Sequence, residues 1–145
     1  MLYDDFLHTI PSCPFCGENP HNRIIESREH AYLTYALAPY HKHHLLVLPR
    51  RHVLSIKDLT LEEETEIEEL QRIGLTLLNK LGYTDITLLV REGAVGHGKS
   101  MEHIHFHIVP FIQIGSLNHY GEKRTILTDA EIEETMKDFE RVRND

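Results

Sequence analysis

The segment His103-Ile104-His105-Phe106-His107-Ile108-Val109-Pro110 alternates polar and apolar residues at every step from 103 to 108. As an extended strand it would place His103, His105 and His107 on one face of a sheet, with Ile104, Phe106 and Ile108 facing a core. A half-exposed strand whose polar positions merely happen to be histidine is the plain alternative. Three histidines in register, directly after a glycine-rich turn, argue against it. A single three-histidine metal site is also disfavoured. At ~3.3 Å per residue the side chains of 103 and 107 start about 13 Å apart, while zinc–nitrogen bonds are only about 2 Å. The three histidines are therefore expected to have different duties.

The remaining pattern surrounds that strand with a sheet and helices. Stretches rich in β-branched, aromatic or aliphatic residues predict further strands at Arg23–Glu26, Tyr32–Leu37, Leu45–Leu48 and Ile86–Val90, with Ile104–Val109 as the fifth. Thr60-Leu61-Glu62-Glu63 is a capping box, followed at helical spacing by Ile67, Leu70, Ile73, Leu77 and Leu78. Gly82 reads as the residue just past the end, so this helix runs from about 61 to 81. Thr128-Asp129-Ala130-Glu131 opens a final helix, about 128–143, with Ile132, Met136 and Phe139 on its apolar side. A short helix over Tyr3–Thr9 is a further expectation. Strands on both sides of one long helix predict an α+β fold with an antiparallel sheet. A length of 145 residues predicts a single domain over 1–145.

Charge narrows the function classes. Fifteen Lys and Arg against 23 Asp and Glu give a net charge of −8, which argues against a nucleic-acid coat. The acids cluster, with six in Glu62–Glu69 and seven in Asp129–Asp145. His30–Lys57 has no acid and carries Lys42, Arg50, Arg51 and Lys57, a pattern that predicts a basic pocket on an acidic body. No apolar run approaches the roughly 18 residues of a membrane span, and the acidic start Met1–Asp5 is unlike a signal peptide. A cytoplasmic location without a membrane partner is expected.

Two further motifs carry chemistry. Cys13-Pro14-Phe15-Cys16 has the spacing that lets two thiolates reach one tetrahedral zinc, and His52 and His103 are candidates for the other two ligands. A redox pair or two buried thiols are the alternatives. The turn Gly93–Ser100 matches G-x-x-x-x-G-K-S by letter, yet a P-loop opens a helix and this turn opens the histidine strand. Its glycines still suit close approach of backbone N–H groups to phosphate.

Taken together, the triad 103–110, the run His44-Leu45-Leu46-Val47-Leu48-Pro49-Arg50-Arg51-His52, and Gly98-Lys99-Ser100 just before the triad resemble the histidine triad (HIT) family. The resemblance spans most of the chain from Cys13 to Pro110. It implies a five-stranded antiparallel sheet with a long helix, paired into a homodimer. It also implies a nucleotide hydrolase or nucleotidyl transferase acting on dinucleoside polyphosphates or nucleoside phosphoramidates through a covalent nucleotidyl-histidine. By position, His105 would be the nucleophile, His44 and His107 would bind phosphate oxygens, and Ser100 with the amides near Gly98 would hold the phosphate or leaving group. In zinc-bearing members the corresponding ligands are Cys13, Cys16, His52 and His103. A zinc-stabilised nucleotide-binding module without turnover is the rival reading.

The chain departs from the family pattern at Lys99, where Gln is common, at Arg91, where Asn is common, and at His43, where Gly is common. The turn before the triad is also one residue longer. Two cations at neutral phosphate-pocket positions predict a substrate with extra negative charge, and solvent-facing charge is the plain alternative. Of the 12 histidines, His43 and His97 lie near the site without an assigned duty. His8, His21, His30, His41 and His119 are expected at the surface.

Overall fold

The computed structural model describes residues 2, 5, 13–16, 24–93, 103–111 and 126–143, with the side chains of 135, 139 and 141–143 excepted. Five strands form one antiparallel sheet: β1 Ile24–Ser27, β2 Ala31–Tyr35, β3 Leu45–Pro49, β4 Ile86–Val90 and β5 Phe106–Pro110, in the order β1-β2-β3-β5-β4. Helix α1 spans Leu61–Lys80 and α2 spans Asp129–Arg143. The α+β expectation and all five strands are met, with boundaries moved by one or two residues.

Both helix starts follow from reciprocal capping. The Thr60 hydroxyl accepts from the Glu63 N–H while Glu63 accepts from the Thr60 N–H. Thr128 and Glu131 repeat the exchange, satisfying donors that a helix start leaves open. At the other end of α1, Gly82 takes φ +96°, a conformation that costs a residue without Cβ little.

The sheet has two faces with different contents. Ala31, Leu33, Leu45, Val47 and Ile108 pack against Ile67, Leu70 and Leu78 of α1. Helix and sheet approach closely at Gly74, where a Cβ would come within 2.7 Å of Ile108 Cδ1. On the opposite face Tyr32, Leu46 and Leu48 pack with Phe15. Because side chains alternate along a strand, the β3–β5 pairing of Leu46 with His107 puts His107 on this second face. On α2, Ile132 and Met136 are exposed among the described residues, and Phe139 lies outside those whose side chains are described. The helix at Tyr3–Thr9 and the turn carrying Gly98, Lys99 and Ser100 also lie outside the described residues.

One boundary differs in an informative way. The fifth strand was expected from Ile104, yet β5 starts at Phe106, so of the three histidines only His107 stands in the ladder. The chain before it spends its polar groups elsewhere. Ile104 N–H donates to the Val53 carbonyl (2.7 Å), and the His103 carbonyl accepts from the ring of His105 (2.7 Å). His103, Ile104, His105, His107 and Ile108 are all buried. The triad is thus enclosed rather than displayed on an open face.

Candidate functional site

Two groups of histidines sit side by side on the second face. The first comprises Cys13, Cys16, His52 and His103, whose ligand atoms lie within 4.8 Å of one another. Cys16 Sγ is 3.1 Å from His52 Nδ1 and 3.3 Å from His103 Nδ1, and Cys13 Sγ is 3.5 Å from His103 Nδ1. Ligands about 2.0–2.3 Å from a tetrahedral ion stand about 3.5 Å apart, so these separations suit a bound ion. His103 Nε2 lies 2.8 Å from the Pro49 carbonyl, which can only accept. The proton therefore sits on Nε2, and Nδ1 turns its lone pair toward the sulfurs.

The sequence brings these four residues together through the strand ends. Arg51 donates to Glu63 (2.8 Å) and to the Asp58 carbonyl (2.8 Å). Arg50 donates to the Arg28 carbonyl (3.0 Å) and to the Ser27 hydroxyl. These contacts fix the chain leading into His52, and they correct one expectation. Arg50 and Arg51 are not held as a pair of unengaged basic groups; they anchor the end of β3 to its neighbours, with Arg50 also lying over the Tyr32 ring at 5.5 Å. Cys13–Cys16 is held by the Cys16 N–H to Cys13 carbonyl bond (3.3 Å) and by Tyr32 donating to the Phe15 carbonyl (3.0 Å). Burial and the adjacent Cys13 push the Cys16 thiol up to about 11. The four residues form a candidate metal-binding group.

The second group is His44, His105 and His107. His44 Nε2 and His107 Nδ1 are 2.9 Å apart, and the Tyr40 backbone N–H donates to His44 Nδ1 (3.2 Å). Burial, with the nearby His105 as the next cause, pulls His44 down to about 4 and His107 to about 3, so both rings are neutral at pH 7. The tautomers then follow from the partners. His44 accepts at Nδ1, carries its proton on Nε2 and donates to His107 Nδ1. That leaves the His107 proton on Nε2. His105 is opposite in sense: its Nδ1 faces the His103 carbonyl and keeps the proton, so the neutral ring has its lone pair on Nε2. In its neutral form the His105 imidazole has a nucleophilic Nε2 beside the donor Nε2–H of His107, the ring centroids 4.8 Å apart.

Two aromatic residues passed over in the sequence complete the site. Phe15, between the cysteines, lies 5.8 Å from the His103 ring and 5.6 Å from the His105 ring, touching both groups. Tyr40 stacks on His44 at 5.3 Å and on His107 at 6.0 Å. Their signal was position alone, inside the Cys-x-x-Cys spacing and just before a histidine-rich run. His43 gains a physical account as well. It takes φ +71° in the turn before β3, the left-handed region that favours glycine, with its Nδ1 2.7 Å from the Tyr83 hydroxyl. Arg91 follows β4 and is half-buried.

No helix among the described residues is long and apolar enough to cross a membrane. A HIT domain family model matches residues 17–113, which include His44, His52 and the triad. The chain is 28% identical over 127 residues to an uncharacterized HIT-like protein of Methanocaldococcus jannaschii, covering 84% of this chain and 97% of that one. It is 33% identical over 90 residues to a bis(5′-adenosyl)-triphosphatase of Dictyostelium discoideum, covering 61% of this chain and 60% of that protein. With an adenosine 5′-monophosphoramidase of Mus musculus it shares 26% identity over 113 residues, 74% of this chain and 68% of that protein. Among solved structures, a HIT family protein from Bacillus anthracis matches with a TM-score of 0.64 at 20% identity, over 85% of this chain and 86% of that one. Family model, fold and enclosed histidine triad agree: the chain belongs to the HIT family.

Proposed function

We propose that this protein is a nucleotide hydrolase or nucleotidyl transferase that attacks the α-phosphate of a nucleotide with His105 Nε2. The substrates are dinucleoside polyphosphates or nucleoside phosphoramidates. The observation that carries the proposal is the bond from His105 Nδ1–H to the His103 carbonyl (2.7 Å), which leaves Nε2 as the attacking nitrogen. The names of two relatives, a bis(5′-adenosyl)-triphosphatase and an adenosine 5′-monophosphoramidase, support the substrate class.

In the first step Nε2 forms a bond to the α-phosphorus as the bond to the leaving group breaks, and the leaving group takes the electron pair. The positive charge left on the imidazole is stabilised at Nδ1–H by the carbonyl of His103. His107 Nε2–H, oriented through His44 and the Tyr40 amide, donates to a phosphate oxygen and stabilises the charge that builds there. In the second step water, or another acceptor, attacks the phosphorus and the P–N bond breaks. The electron pair returns to Nε2, and the acceptor's proton is lost to solvent. Gly98, Lys99 and Ser100 enter this reading from the sequence alone, as the phosphate and leaving-group contacts.

Zinc is the ion this reading assigns to Cys13, Cys16, His52 and His103, because two thiolates and two imidazoles in a tetrahedral set suit it. Its contribution is structural: by fixing His103 it fixes the carbonyl that orients His105. A single domain over 1–145, a homodimer and a cytoplasmic location complete the proposal.

The test mixes the protein with diadenosine triphosphate radiolabelled in its α-phosphates and quenches in base. The expected result is one labelled adenylyl group per chain, on His105, absent from His105→Ala. Turnover without an adduct would overturn covalent catalysis, and tight binding with neither adduct nor turnover would make the protein a nucleotide-binding module.

A further inference from the structure

The described arginines other than Arg91 whose guanidinium contacts are resolved are all spent inside the fold. Arg28 pairs with Glu26 and Glu69, Arg51 with Glu63, and Arg72 with Glu68, while Arg50 donates to β1 and to the turn after it. Arg91 differs. Its Nε is buried and has no hydrogen-bond partner among the described residues. The adjacent acid is committed elsewhere, since Glu92 accepts from the Ile56 N–H (2.7 Å) and the Ser55 hydroxyl (3.3 Å).

The strand register says where Arg91 stands. Leu89 pairs with His107 and Val90 with Phe106, and Arg91 is the first residue past the end of β4, at the end of the sheet where the chain from His105 enters β5. Residues opposite one another share a face of the sheet, and faces alternate along each strand. Leu89 thus shares the face of His107, and Arg91 follows it by two residues at the same end of the sheet. Its charge contributes, after burial and the neighbouring histidines, to the lowered proton affinity of His107. A half-buried cation whose Nε is enclosed and unpartnered, without an ion-pair partner among the described residues, is an arrangement that an external anion would complete.

We infer that Arg91 holds the leaving phosphate chain of the substrate and so selects anionic polyphosphate over amine leaving groups. The inference rests on the reading of His105 as nucleophile. When Nε2 attacks a dinucleoside polyphosphate, the P–O bond to the next phosphate breaks and the leaving chain departs with the electron pair as an anion. It needs charge neutralisation rather than a proton. A guanidinium supplies that in a geometry matched to phosphate oxygens. When a phosphoramidate reacts, the P–N bond breaks and the amine must gain a proton, which a guanidinium does not give up at neutral pH.

The experiment compares kcat/KM for diadenosine triphosphate and adenosine 5′-monophosphoramidate in the wild type, Arg91→Gln and Arg91→Lys. Adduct formation and melting temperature are recorded for each. Arg91→Gln is expected to lower the triphosphate-to-phosphoramidate ratio by about tenfold or more, the scale of one lost charge-assisted hydrogen bond. Arg91→Lys is expected to restore part of that ratio, because it keeps the charge and loses the fork. An equal fall on both substrates would overturn the inference, placing Arg91 on the α-phosphate common to the two or in the fold. So would an unmoved ratio. Wild-type protein that forms no adduct with either substrate would remove the His105 reading, and this inference with it.

Discussion

The two histidine groups share a residue type, a face of the sheet and even a chain segment, yet the backbone engages opposite ring nitrogens in them. At His103 the Pro49 carbonyl takes the Nε2 proton and Nδ1 faces two thiols. At His105, two residues on, the His103 carbonyl takes the Nδ1 proton and Nε2 keeps the lone pair. Which nitrogen meets a carbonyl decides which nitrogen is left to face a ligand. The comparison also explains why β5 starts late. The carbonyl and N–H groups of residues 103 and 104 are occupied in placing the rings, and only from Phe106 onward does the chain join the ladder.

If the two groups have separate duties, mutations should separate them. The largest effect belongs to His105→Ala, expected to lower turnover by about 10⁴-fold or more while metal content and melting temperature hold. Loss of metal in that variant would merge the groups. Cys13→Ser is expected to lower metal content below one ion per chain and to cost several kcal/mol of stability, read by metal analysis and urea unfolding. Full metal content there would move the ligands elsewhere.

Within the second group the effects are smaller. His107→Ala is expected to lower kcat by about 10²–10³-fold, the scale of one lost transition-state donor, with adduct formation slowed but detectable. An unaltered kcat would remove His107 from the phosphate.

The same group should set the acid response. His44 and His107 have folded-state values of about 4 and 3, below the 6.5 of an ordinary histidine. Between those values the unfolded chain binds more protons, so this contribution to stability is complete above about pH 6.5 and is lost as pH falls toward 4. Urea midpoints at pH 7 and pH 5 should differ more for the wild type than for His44→Gln/His107→Gln. Equal differences would contradict the assignment.

The smallest effect lies outside both groups. His43→Gly should relieve a left-handed backbone at φ +71° worth about 1–2 kcal/mol, offset by the lost Tyr83 contact. A melting temperature lowered by several degrees would show that the Tyr83 contact outweighs the strain.

Much of this architecture was legible before any coordinates, because its signals are local. The Thr60 and Thr128 capping boxes mark both helix starts, and alternation marks the strands. Cys-x-x-Cys spacing with His52 and His103 correctly named the four residues that come together. Parts that depend on tertiary partners were not legible. The late start of β5 depends on where the Ile104 N–H and the His103 carbonyl find bonds. The use of Arg50 and Arg51 as anchors depends on Ser27, Asp58 and Glu63 arriving beside them. Phe15 and Tyr40 carry no motif of their own, and the unpartnered Nε of Arg91 is visible only once Glu92 is seen to bond elsewhere.

Proton placement on the imidazoles tests the account most directly. Long-range ¹H–¹⁵N NMR of histidine side chains at pH 7, in the metal-loaded protein, reads it ring by ring. The expected pattern is a proton on Nδ1 of His105 and on Nε2 of His44, His103 and His107. A proton on Nε2 of His105 would aim a donor at the substrate and contradict its role as nucleophile.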